Sequence, residues 1–93
     1  MTNLNTIASK IIKEQELIIG PVAWSEARKV RGLVIQDQKT GEVNFEGDPK
    51  QIIDGLVAQY EKLFGRASHE VCREAVSGLI IDLIPTEIPA SLR

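Results

Sequence analysis

The spacing of hydrophobic residues changes twice along this chain, and these changes limit the folds open to it. Over residues 4–19 apolar side chains recur every three or four positions, which predicts an amphipathic helix. Over residues 33–46 they alternate with other residues on both sides of a turn, which predicts a β-hairpin. Helical spacing returns after Gly47. The sequence therefore predicts an α+β fold that is mainly helical, with one hairpin between two helical halves.

Glycine and proline divide the first half into two helices. Gly20 is expected to end the first helix, because glycine accepts the left-handed conformation that follows many helices. Pro21 is expected to start the second, because its fixed backbone angle suits the first helical turn. The apolar spacing then predicts a second helix over residues 21–31, stopped by Gly32.

The second half begins with the clearest helix start in the sequence. Asp48 can cap the exposed amides of a helix whose first residue is Pro49. Gly65 predicts the end of this third helix, and a fourth is expected over residues 67–83. The prediction is two antiparallel helix pairs joined by the hairpin.

A shift of 45 positions brings the two predicted helix pairs into register. The two helix-ending glycines then coincide, the candidate cap Asn3 falls on Asp48, and Arg28 falls on Arg73. Helical periodicity alone would match most apolar positions of any two amphipathic helices. Because caps, glycines and arginines match in the same frame, we predict that residues 3–31 and 48–76 form an internal structural repeat.

The chain has the length and composition of one globular domain. It has 93 residues, of which 43% are hydrophobic and 26% charged. We expect a single domain over residues 1–85 and an extended tail over residues 86–93. Cys72 is the only cysteine, and a lone thiol suits a reducing compartment. No signal-peptide pattern or membrane-length apolar run occurs in the sequence, which predicts a cytoplasmic protein without a membrane partner.

His69 and Cys72 are the residue types most able to carry chemistry. Three positions apart on one helix, they could reach the same metal ion, but the chain has no other His or Cys to complete a zinc site. Cys72 also lies within an apolar stripe, where a cysteine usually acts as a small hydrophobic core residue. We therefore expect no metal, no cofactor and no enzymatic activity.

A short basic segment raises the alternative of a DNA- or RNA-binding regulator. Arg28, Lys29 and Arg31 come just before the hairpin, and the order of elements over residues 21–45 resembles part of a winged helix. The hairpin itself sets Lys39 against three carboxylates, which would repel phosphate. With a net charge of −2, the composition argues against nucleic acid as the partner.

The preferred reading is a non-catalytic interaction or regulatory module that forms a homodimer or binds another protein. Trp24 lies beside the stripe of the second helix, where it could pack within the monomer or anchor a partner. His69 is its counterpart in the repeat. Residues 79–84 hold more aliphatic side chains than one helix face accepts, which leaves Ile81 and Ile84 for a partner.

These predictions place the dimer contact around the hairpin and the fourth helix. A two-fold partner there could cover both the spare isoleucines and the open strand edges. The competing prediction is that the tail folds back, so that Ile88 and Leu92 cover Ile81 and Ile84.

Overall fold

The computed structural model describes residues 4–83 and 85–92 and confirms a mostly helical α+β fold with one antiparallel hairpin. The helices are α1 (Leu4–Ile19), α2 (Val22–Ala27), α3 (Pro49–Phe64) and α4 (Arg66–Val76), and the strands are β1 (Leu33–Asp37) and β2 (Glu42–Phe45). Three short 3-10 turns follow α4, at Ile80–Asp82, Pro85–Glu87 and Ala90–Leu92.

The start of α3 is formed as its sequence predicts. The Asp48 carboxylate accepts a hydrogen bond of 3.0 Å from the backbone N–H of Lys50, and Pro49 occupies the first turn. At the other end Gly65 has a φ of 86°, a value that favours glycine. Local chemistry therefore sets both ends of this helix.

Helix α2 is shorter than the predicted segment 21–31. It ends at Ala27 because the chain then has to turn into β1. Gly32 makes that turn with a φ of 88°, and its carbonyl accepts a hydrogen bond of 2.7 Å from the N–H of Glu46, which closes the base of the hairpin. Arg28 and Lys29 consequently follow the helix and do not lie in its last turn.

Helix α4 is also shorter than predicted, since it ends at Val76 and not at residue 83. Ser77 and Gly78, two residues that favour helices poorly, come directly after it. The Ser77 hydroxyl donates to the Glu74 carbonyl at 3.0 Å and satisfies part of the helix end. Residues 80–82 then form a 3-10 turn in place of a further α-helical turn.

The tail of residues 86–92 folds back onto the domain and is not extended as predicted. It contains 3-10 turns, and its contacts with α3 and α4 bury Leu92 to 2% exposure. The competing prediction placed Leu92 and Ile88 over Ile81, but Ile81 is 79% exposed. The tail therefore covers a different surface.

Helix α1 lies at the centre of the core, where it packs against α2, β2, α3 and α4. Most of the apolar stripe predicted for each of α1 and α3 is buried, but Ile18 of α1 and Leu63 and Phe64 of α3, which belong to these stripes, are exposed. The buried side chains of α1 to α4 are Ile7, Ala8, Ile11, Ile12, Gln15, Ala23, Trp24, Glu26, Ala27, Ile52, Ile53, Leu56, Val57, Tyr60, Ser68, Cys72 and Val76. The hairpin packs Leu33 and Val43 onto this core, and Asn5 donates to the Val43 carbonyl at 2.8 Å.

The two halves share some features of a repeat and differ in others. Helices α1 and α3 each have 16 residues, and each is followed by a glycine with positive φ. Helix α2 has 6 residues and α4 has 11. Moreover, α4 packs against both α1 and α3. The internal repeat and the pairwise arrangement of the helices therefore stay predictions.

Candidate functional site

Trp24 is held inside the domain. It is 1% exposed on α2, among the core residues contributed by α1 and α3. The neighbouring Ala23 carbonyl accepts a hydrogen bond of 2.7 Å from the buried Tyr60 hydroxyl, which fixes α2 against α3. Since the indole ring has no accessible face, the geometry favours the reading in which Trp24 packs within the monomer.

The other predicted partner residues occupy separate places. Ile81 projects from the 3-10 turn after α4 and is 79% exposed. Ile84 lies outside the described residues. His69 is on α4, with its side chain partly exposed and bonded on both sides. The structure does not unite Trp24, His69 and Ile81 in one patch.

The basic segment is largely paired within the chain. Arg28 donates to the Gln38 side chain at 2.8 Å, and the Lys29 ammonium group lies 3.1 Å from the Glu26 carboxylate. Hydrogen bonds from Gln59 and from Lys29 lower the pKa of Glu26, so this carboxylate stays charged at neutral pH. Of the three predicted phosphate-binding residues, Arg28 and Lys29 are thus already engaged, which weakens the nucleic-acid alternative.

Cys72 is a core residue, in agreement with its position in the stripe. It is fully buried, and burial raises the pKa of its thiol to about 11. Gln15 donates its side-chain amide to the Ser68 carbonyl at 3.0 Å and to the Cys72 sulfur at 3.4 Å. A thiol that is protonated and inaccessible at neutral pH is a poor nucleophile.

His69 and the tail form a polar network that links α3, α4 and residue 91. The His69 Nδ1 atom lies 2.9 Å from a Glu61 carboxylate oxygen, and Nε2 lies 2.6 Å from the Ser91 carbonyl. Both ring nitrogens therefore face acceptors.

Asp54 of α3 completes the network. One of its carboxylate oxygens accepts two bonds from Ser91, at 3.0 Å from the backbone N–H and at 2.6 Å from the hydroxyl. Farther along the tail, the Lys50 ammonium group donates to the Thr86 carbonyl at 2.7 Å. Helices α3 and α4 thus hold the tail mainly by side-chain contacts to its backbone.

An open groove of about 630 Å³ continues beside the docked tail. Its apolar residues are Ile80, Ile88 and Leu92, and its polar residues are Glu70, Arg73 and Glu74 of α4 together with Ser77, which directly follows that helix. The size lies within the range typical of ligand pockets.

A group of exposed hydrophobic residues lies in the last turns of α1 and α3 and at the start of α2. We call it the helix-end patch; its members are Leu17, Ile18, Val22, Leu63 and Phe64, each between 40% and 80% exposed. The Tyr60–Ala23 hydrogen bond places the last turn of α3 beside the start of α2, which follows α1 directly. The ends of α1 and α3 therefore meet at one end of the domain.

Sequence reasoning identified neither the tail network nor the helix-end patch. Asp54 and Ser91 are ordinary polar residues separated by 37 positions, and no local pattern connects them. Leu63 and Phe64 continue the apolar stripe of α3, which predicted that they would be buried. The available signal was the Gly65 stop directly after them, because side chains in a last turn have less of the core to pack against.

Within residues 4–83 and 85–92, no three His, Cys, Asp or Glu side chains are grouped so that they could hold a metal ion. No helix in the same ranges has the length and apolar character needed to cross a membrane. No protein-family model matches the chain, and comparisons with curated proteins and with solved structures gave no significant match.

Proposed function

We propose that this protein is a non-catalytic interaction module that forms a homodimer through the helix-end patch. The observation that carries the proposal is the concentration of exposed apolar side chains at one end of the domain. Six large hydrophobic residues of the described chain are well exposed, and all except Ile81 belong to this patch. Grouped apolar side chains of this kind are typical of protein–protein contacts, whereas single ones are ordinary surface.

The charges around the patch support a second copy of the chain as the occupant. Glu16 lies on the last turn of α1, while Lys62 and Arg66 lie on either side of the α3–α4 junction. None of the three forms an ion pair within the described part of the chain. A two-fold dimer brings the same patch from each copy together, so the acidic side of one copy can face the basic side of the other.

The proposed repeat gives this patch an internal symmetry. Under the shift of 45 positions Ile18 corresponds to Leu63, and both are exposed near the ends of equivalent helices. We propose that the two halves are related in this way, as two helix pairs about a common axis. Superposing residues 4–27 on residues 49–72 in an experimental structure tests the repeat. Clearly different interhelical angles in the two halves would exclude it.

We propose the cytoplasm as the compartment. The support is the single cysteine, Cys72, which is a free thiol in the core and suits a reducing environment.

Sedimentation equilibrium over a wide concentration range tests the dimer. We expect the mass to rise from 10.3 kDa toward twice that value as the protein concentration increases. The variant Leu17→Glu should remain monomeric, because it places a charge in the patch. Leu17 is 80% exposed, so this substitution leaves the core intact.

The matched control is Ile81→Glu, which adds the same charge at an equally exposed site outside the patch. It should dimerise like the wild type. A wild-type chain that stays monomeric at high micromolar concentration refutes the proposal. If Ile81→Glu abolishes the dimer and Leu17→Glu does not, the contact lies by the fourth helix, as the sequence first suggested.

A further inference from the structure

The tail of residues 86–92 is attached to the domain in the manner of a bound peptide. It pairs with no strand and adds no turn to a helix; instead, side chains of α3 and α4 contact its backbone and enclose two of its side chains. We call the surface beneath it the tail groove, formed by Lys50 and Asp54 of α3, His69 and Arg73 of α4, and Ile80.

The contacts at Ser91 define a recognition chemistry. Asp54 accepts from both the N–H and the hydroxyl of Ser91, and the carbonyl of the same residue lies 2.6 Å from the His69 ring. A side chain without a hydroxyl group would lose the shortest bond to Asp54. The groove therefore selects serine, or the related threonine, at this position.

Apolar contacts on both sides of Ser91 extend this selectivity. Leu92 is 2% exposed, and Pro89 is among the fully buried side chains. A proline reduces the entropy that a segment loses on binding, and a buried leucine contributes apolar area. The resident sequence Pro89-Ala90-Ser91-Leu92 thus defines the pattern Pro-x-Ser-Leu.

The tail fills only part of the available surface. The open groove of about 630 Å³ borders Leu92 and Ile88 and reaches the Arg73 and Glu70 side chains of α4. A ligand that also enters this space gains contacts that the tail does not make. Such a ligand can displace the tail although the tail has the advantage of covalent attachment.

From these contacts we infer that the tail groove is a peptide-binding site for segments of the pattern Pro-x-Ser-Leu in a partner protein, with the chain's own tail as the intramolecular competitor. This inference goes beyond self-association and does not rest on it, because the helix-end patch shares no residue with the groove.

Fluorescence anisotropy with a labelled synthetic peptide tests the site. The probe has the sequence of residues 85–92, and the receptor is the full chain carrying Leu92→Asp, which releases the tail by removing its buried anchor. We expect this variant to bind the probe at least tenfold more tightly than the wild type, whose tail occupies the groove. A peptide with alanine in place of its serine should bind on the order of tenfold more weakly than the probe.

A double-mutant cycle ties that loss to Asp54. In a receptor that also carries Asp54→Ala, the serine and alanine peptides should bind equally, because the acceptor of the hydroxyl is gone. Circular dichroism verifies that each receptor is folded, and the milder Leu92→Ser replaces Leu92→Asp if that variant loses its helix signal.

The inference is overturned if a folded, tail-released receptor does not bind the probe, or if it binds the serine and alanine peptides equally while Asp54 is present. Probe binding that is as tight to the wild type as to the released variant places the peptide elsewhere and also overturns it. A monomeric protein in the sedimentation experiment would leave all these expectations unchanged.

Discussion

The buried thiol of Cys72 should make the domain sensitive to alkaline pH. Burial raises the pKa of Cys72 from an ordinary 9.0 to about 11 in the folded chain. The unfolded chain therefore loses this proton at a lower pH than the folded chain. The thiol's contribution to stability is fully present below about pH 9 and is lost as the pH rises toward about 11.

The size of the effect follows from the two pKa values. Each pKa unit corresponds to about 1.36 kcal/mol, so the full loss above pH 11 is on the order of 3 kcal/mol. Between pH 8 and pH 10 the same linkage gives a loss of about 1 kcal/mol. Burial also raises the pKa of Tyr60, but an unfolded tyrosine ionises only near pH 10. The interval from pH 8 to pH 10 therefore reports mainly on Cys72.

Urea unfolding at pH 8, 9 and 10, followed by circular dichroism under reducing conditions, measures this loss. Cys72→Ala removes the titrating group, so the free energy of unfolding of the wild type should fall by about 1 kcal/mol more than that of the variant between pH 8 and pH 10. Tyr60→Phe keeps the thiol and should retain most of the wild-type dependence in this interval, with a small difference near pH 10, where an unfolded tyrosine is half ionised. Identical pH dependence in the wild type and Cys72→Ala would refute the reasoning, because it would mean that the thiol ionises as easily in the folded chain as in the unfolded one.

Two further predictions concern the backbone. Asp48→Ala removes the side-chain cap of α3 and should lower the free energy of unfolding by about 1 kcal/mol, the usual value of such a cap. Urea unfolding measures this loss, and an unchanged urea midpoint would show that solvent fully replaces the Asp48 cap. Gly32→Ala places a Cβ atom 2.9 Å from the Glu46 carbonyl oxygen at a φ of 88°, whereas Gly65→Ala meets no atom within 4 Å at a φ of 86°. Both should lose about 1–2 kcal/mol because an L-residue rarely adopts a positive φ, and Gly32→Ala should lose more because of the contact at the hairpin base; equal losses would contradict this account.

Local signals predicted the first and third helices well. The Asp48 cap, Pro49 and Gly65 act within a few residues of the helix ends that they define, so the sequence is sufficient to locate them. The same holds for the hairpin, whose strands occur where alternation predicts them. Residues of the central stripes, such as Ile11 and Ile53, are buried because the helices form with the expected faces inward.

The incorrect predictions have two causes, helix-ending residues nearby in the sequence that apolar spacing does not register and contacts between distant parts of the chain. The ends of α2 and α4 were placed by apolar spacing, but the turn into β1 and the poor helix formers after Val76 end these helices earlier. The tail appeared extended because nothing near Ser91 reveals its bonds to Asp54. The burial of Trp24 depends on how α2 packs against α1 and α3, and periodicity within α2 carries no such information.

The central position of α1 has a consequence for protein synthesis. Its buried Gln15 bonds to the Ser68 carbonyl of α4, 53 residues farther along the chain. At about 5–20 residues per second, a ribosome needs roughly 3 to 10 s to make the intervening chain. Throughout that interval the apolar face of α1 lacks the helix that covers it. The nascent first helix is therefore the segment that we expect to engage chaperones, and its wait for α4 sets the earliest moment at which the domain can close.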